Sequence, residues 1–133
     1  MKRKGILIIH GFAGSRDELM PLYNFLCSEG YDAIIPILAG HEGTYQELAE
    51  SRYMQWIGCA EKAYLRLAET YDDITVIGFS MGGLIAVNLY QKYKFSRLVT
   101  INTPVYYWDI KKICNNLCTD FKTYFKKYFT AST

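Results

Sequence analysis

The stretch Ile74-Thr75-Val76-Ile77-Gly78-Phe79-Ser80-Met81-Gly82-Gly83 decides how the rest of the chain is read. Four consecutive β-branched residues form an apolar run too short for a helix, which reads as a buried strand. From about Met81 to Tyr93 the period changes, and Leu84, Ile85, Leu89 and Tyr93 fall at helical spacing. A strand that passes directly into a helix must turn sharply, and the glycines at 78 and 82 leave room for that turn. Ser80 sits at its apex, where a strained backbone would project the hydroxyl from the end of the sheet. The helix that follows aims its first amides and positive dipole end back at that hydroxyl, so the N–H of Met81 becomes a candidate donor to a developing oxyanion. Two alternatives compete. One is a glycine-rich turn that only packs helix on strand. The other is a phosphate-cradling G-x-G-x-x-G loop, which would need glycine where Ser80 stands.

Working outward, Gly5 to His10, Tyr31 to Ile37 and Leu98 to Ile101 are further short apolar runs with strand character. Longer segments of helical period lie between them. The first follows Ser15-Arg16-Asp17-Glu18, a capping-box pattern, although Pro21 argues for a later start; its apolar stripe closes at Cys27, with Gly30 as terminator. The second spaces Tyr53, Trp56, Ile57, Ala60, Tyr64, Leu67 and Tyr71 along one face. Strands alternating with helices predict an α/β fold: a mainly parallel four-stranded sheet of buried strands, flanked by helices.

Composition narrows the partners. The 133 residues carry Lys+Arg 15 against Asp+Glu 13, a net charge of +2, with 50% hydrophobic and 16% aromatic residues. That balance supplies a core and lacks the basic clustering that nucleic-acid binding requires. No run approaches the roughly 20 apolar residues of a membrane span, so stable membrane insertion is not expected. Met1-Lys2-Arg3-Lys4 followed by Ile6-Leu7-Ile8-Ile9 looks like an export signal only at first sight, because His10 cuts the apolar run short. Cys27, Cys59, Cys114 and Cys118 are then reduced thiols, and a cytoplasmic location is expected. Cys114 and Cys118 share a helical face but have no neighbouring histidine, so no metal site is expected.

The charge divides the chain in two. Residues 1–104 carry a net charge of −1 and residues 105–133 a net of +3. In the second part Ile113, Leu117, Phe121, Phe125 and Phe129 recur at helical spacing beside Lys111, Lys112, Lys122, Lys126 and Lys127. Such a basic amphipathic helix covers an apolar pocket or core; binding a membrane surface or partner is the alternative.

Two more segments bear on the chemistry. His10-Gly11-Phe12-Ala13-Gly14 ends the first strand, where a loop amide can face the Ser80 turn, and Pro36-Ile37-Leu38-Ala39-Gly40-His41-Glu42-Gly43 follows the second. Together with Gly78-Phe79-Ser80-Met81-Gly82, these segments resemble the α/β-hydrolase family, in its carboxylesterase and monoacylglycerol lipase branch. The resemblance runs from Gly5 to about Tyr107, the one departure being Glu42, which is inserted where that branch has glycine. It implies a partial α/β-hydrolase fold, with residues 1–104 as the N-terminal half of the core and 105–133 as the start of a helical cap. It further implies that Ser80 is the nucleophile and that the amides of Phe12 and Met81 form the oxyanion hole. His10, Gly11, His41, Gly78 and Gly82 shape the site, and no cofactor is called for.

The family's acid and histidine follow the nucleophile in sequence, yet no histidine occurs after Ser80. The resemblance therefore implies a chain truncated before both, the remainder lying beyond Thr133. A rearranged triad, with His41 as base oriented by Asp109, is the alternative within the chain. The expected activity is hydrolysis of small, apolar carboxylic esters through an acyl-enzyme. The competing expectation is a non-catalytic remnant that acts as a binding module. The half-sheet would leave the Leu98–Ile101 strand as an open edge, through which self-association is expected.

Overall fold

The structure is a computed structural model and describes residues 4–104. Residues 105–133, expected to begin a cap, lie outside the described residues, as do Asp109, Cys114 and Cys118. The elements run β1 (Gly5–Ile9), α1 (Met20–Ser28), β2 (Asp32–Ile34), α2 (Tyr45–Glu50), α3 (Tyr53–Ala68), β3 (Ile74–Phe79), α4 (Met81–Tyr93) and β4 (Arg97–Ile101). The four strands form one all-parallel sheet in the order β2-β1-β3-β4.

Alternation along β1 divides its side chains between two apolar layers. Leu7 and Ile9 join Ile74 and Val76 of β3 beneath α3 and α4, where Trp56, Ala60, Leu67, Ile85, Ala86 and Leu89 are buried. Ile6 and Ile8 face the other way, with Ala33 and Ile77, against Leu19 and the inner side of α1. A parallel strand needs cover on both faces, which is why β1 is apolar at every position.

Several expectations need correction. β4 is not a buried strand: Leu98 is half-buried, and Arg97, Val99, Thr100 and Ile101 are exposed. It forms one edge of the sheet, and on the face it shares with Ile77 and Phe79 the helix α1 sits over β2 rather than β4. The second strand shrinks from Tyr31–Ile37 to Asp32–Ile34, because the chain peels away towards the loop that holds His41. Ser15 makes no side-chain cap; a 3₁₀ turn spans Arg16–Leu19, and α1 begins after it with Pro21 in its first turn. Tyr71 lies past the end of α3, yet still packs on the core. Leu84 and Tyr93 are half-buried, while Met81 and Ala86 are buried in α4.

Helix α2 has no counterpart among the elements that apolar periodicity predicts. Its signal is a capping box at its start, in which Thr44 Oγ1 accepts from the N–H of Glu47 at 3.2 Å while the Glu47 carboxylate accepts from the N–H of Thr44 at 2.6 Å. Thr44→Ala is expected to lower stability by about 1 kcal/mol, read as a shift in the urea midpoint. An unchanged midpoint would mean that α2 contributes nothing to the folded state.

Candidate active site

The turn between β3 and α4 places Ser80 at φ 53° and ψ −120°, as the N-terminal cap residue of α4. A left-handed backbone at a non-glycine residue costs about 1–2 kcal/mol, so neighbouring groups must hold it. Three hydrogen bonds do so. The Ser80 N–H donates to Ile101 O at 2.8 Å, Gly83 N–H donates to Ser80 O at 3.0 Å, and the Thr103 hydroxyl donates to Ser80 O at 3.1 Å. Two of the partners come from β4 and the residues just after it. Thr103 was not singled out in the sequence, because its contact with Ser80 spans 23 positions.

The glycines around the turn are there for close approach. A Cβ on Gly78 would run into the backbone of Gly82 and Gly83, and one on Gly82 into the carbonyl oxygens of Ile9 and His10. A Cβ on Gly11 would come within 3.3 Å of Ser80 Cβ. Gly11 thus brings the segment after β1 directly against the serine, and Phe12 is the next residue. Met81 opens α4, so its N–H belongs to the first turn, whose amides have no acceptor four residues back.

Phe12, His10, His41 and Trp56 form an aromatic cluster beside this turn. His10 and His41 have ring centroids 4.9 Å apart, and Phe12 lies 5.4 Å from Trp56 and 6.0 Å from His41. Trp56, read in the sequence only as a core residue of its helix, also fastens the loop after β2: its indole N–H donates to Ala39 O and to the Ser51 hydroxyl, each at 2.9 Å.

Both histidines are buried and fully engaged. Leu38 N–H donates to His10 Nε2 at 3.3 Å, and Ala13 N–H donates to His41 Nε2 at 3.0 Å. On the other side of each ring, Nδ1 lies 2.9 Å from Gly11 O for His10 and 3.0 Å from Ala39 O for His41. This pattern fits neutral imidazoles that donate from Nδ1 and accept at Nε2. It uses both nitrogens of His41 and leaves none for Ser80. Burial pushes both rings below the ordinary histidine value of 6.5.

The linkage follows from that direction. The unfolded chain takes up protons on both rings below about pH 6.5 while the folded chain resists, so stability is complete above that pH and falls as pH drops towards the depressed folded values. The loss is at most about 1.4 kcal/mol per pH unit for each ring. Urea midpoints measured between pH 7.5 and 5 are expected to fall on acidification, and more steeply than for His41→Gln. Parallel curves for the two proteins would contradict a neutral His41.

Among the described residues no group of three or more His, Cys, Asp or Glu side chains is arranged to hold a metal ion. No helix there is long and apolar enough to cross a membrane.

Comparison with known proteins adds to this geometry. A family model described as the alpha/beta hydrolase fold matches residues 5–117. The thermostable monoacylglycerol lipase of Bacillus sp. (strain H-257) is 30% identical over 102 residues, covering 76% of this chain and 41% of the lipase. The carboxylesterase of Bacillus subtilis (strain 168) is 27% identical over 104 residues, covering 77% of this chain and 42% of the esterase. A solved structure from work on LipS and LipT, two metagenome-derived lipolytic enzymes, superposes with a TM-score of 0.75 at 30% identity, covering 82% of this chain and 45% of that one. The chain spans less than half the length of each of these relatives.

Proposed function

The chain belongs to the α/β-hydrolase family, and from that premise we propose that it is the nucleophile-bearing part of a serine hydrolase that acts on carboxylic esters. The observation that carries the reading is Ser80 itself, held at φ 53° between β3 and α4 with Gly11 packed against it. In this reading Ser80 Oγ attacks the ester carbonyl carbon, and the amides of Phe12 and Met81 stabilise the oxyanion. A general base takes the serine proton and returns it to the departing alcohol, leaving an acyl-enzyme that water cleaves.

With both nitrogens of His41 bonded to backbone groups, the pairing of His41 with Asp109 gains no support. The reading instead draws its base and acid from polypeptide outside these 133 residues, assigns residues 1–104 to the core and gives 105–133 to a cap. Small apolar esters are the substrates of this reading, and the names of the lipase and esterase relatives support the ester class. A cytoplasmic location is part of the same reading.

A second reading, a non-catalytic remnant that binds a ligand or a second copy through the β4 edge, draws on the same engagement of both histidines and on the exposed Val99 and Ile101. One experiment separates the two. The 133-residue chain is treated with a fluorophosphonate and digested, and the modified peptide is identified by mass spectrometry. Phosphonylation at Ser80 is the expected outcome, slow because the base lies outside the chain and sustained by the oxyanion amides alone. No modification, or modification at another residue only, overturns the hydrolase reading for this chain.

A further inference from the structure

Two adjacent residues of the loop after β2 grip two amides of the loop after β1. His41 takes the N–H of Ala13, and Glu42 takes the N–H of Arg16 at 2.7 Å. The Glu42 carboxylate also holds the Arg16 guanidinium from two sides, with Nε 3.2 Å from Oε1 and 3.1 Å from Oε2, and Nη2 2.9 Å from Oε2. Its side chain is only 20% exposed, against 48% for Arg16. A forked guanidinium paired with both carboxylate oxygens is a directional contact, more so when the same carboxylate also accepts a backbone amide.

The backbone shows what the grip does. Ala13 and Glu42, on the two facing loops, both stand at positive φ, 56° and 59°, where glycine would be at ease. Non-glycine residues stay in that region only where the surroundings fix them. Here the surroundings are each other: Ala13 is fixed through His41, and Glu42 through Arg16. Phe12 lies immediately before Ala13, and Gly11, one residue earlier, touches Ser80.

We propose that Glu42 is a positioning residue: by clamping Arg16 it sets the loop that presents the Phe12 amide to Ser80. The role at Ser80 rests on the hydrolase reading given above, whereas the clamp itself does not. Glu42 bears a charge that the clamp needs, and the Arg16 contact holds its carboxyl below the usual carboxylate range, so the carboxylate is ionised at neutral pH.

The test compares the native chain with Glu42→Gln, Arg16→Met and Arg16→Lys. Residue-resolved amide exchange reports on the loop, and the rate of Ser80 phosphonylation reports on the site. In Glu42→Gln the Ala13 and Arg16 amides are expected to exchange about tenfold faster while those of β3 are unchanged, and the Arg16 amide resonance loses its downfield shift. Phosphonylation of Ser80 slows about tenfold. Arg16→Met reproduces both effects in part, and Arg16→Lys, which keeps the charge but loses the fork, recovers only part of the loss. Unchanged Ala13 and Arg16 exchange in Glu42→Gln overturns the proposal, as does an equal rise in exchange throughout the sheet, which marks a general loss of stability. Absent labelling of the native chain sinks the hydrolase reading alone, because the exchange comparison still decides the clamp. Should Glu42→Gln fail to fold, the Arg16→Met and Arg16→Lys pair decides it on the same criteria.

Discussion

Ser80→Ala is expected to abolish the slow fluorophosphonate labelling of the native chain and to leave the fold intact. Both halves of this result follow from the contacts of residue 80. Its hydrogen bonds to Ile101, Gly83 and Thr103 are all made by its backbone N–H and carbonyl, so alanine keeps every one of them. The hydroxyl contributes chemistry and little cohesion, and the stability read from urea unfolding should change by no more than about 0.5 kcal/mol. Ser80→Gly gives the complementary result: equally unreactive, but more stable than Ser80→Ala by about 1 kcal/mol, because glycine relieves the cost of φ 53°. A Ser80→Ala protein labelled at the native rate would show that the probe reacts elsewhere.

Gly82→Ala is expected to cost about 3 kcal/mol or more, a large fraction of the roughly 5–15 kcal/mol that holds a small domain folded. The added Cβ would overlap the carbonyl oxygens of Ile9 and His10, both backbone atoms at the end of a central strand, and neither can move without disturbing the sheet. Gly78→Ala should behave alike, since its Cβ would meet the backbone of Gly82 and Gly83. Gly58 supplies the control. It lies inside α3 with nothing within 4 Å of its added Cβ, so Gly58→Ala should stabilise by roughly 0.5–1 kcal/mol through helix propensity alone. Chemical denaturation of the three variants measures both signs. Equal midpoints for Gly82→Ala and Gly58→Ala would mean that the β1 end and the start of α4 do not touch as described.

The strands β1 and β3 were legible because burial on both faces leaves a continuous apolar run, and the turn at Ser80 because glycine spacing records a steric demand. β4 has the same run, yet its exposure depends on what lies beside it in the sheet, which local sequence does not encode. Helix α2 is too short to show a period, and only the Thr44 and Glu47 pair betrays it. The family resemblance implies that His10 and His41 shape the site. Which amides they accept, and the Arg16–Glu42 clamp, join residues more than 25 positions apart and leave no local pattern. The helical spacing of Trp56 predicts its burial but not its hydrogen bonds, since core spacing and loop anchoring look identical along one helical face.

The bonds from residue 80 to Ile101 and Thr103 also impose a timetable on synthesis. As the polypeptide leaves the ribosome, β1, β3 and the glycine turn emerge first, but the Ile101 carbonyl and Thr103 hydroxyl that lock the serine are made some twenty codons later. A nascent chain whose β4 is still inside the ribosomal exit tunnel would carry an unlocked turn, so the turn should set only once β4 and the two residues after it have emerged.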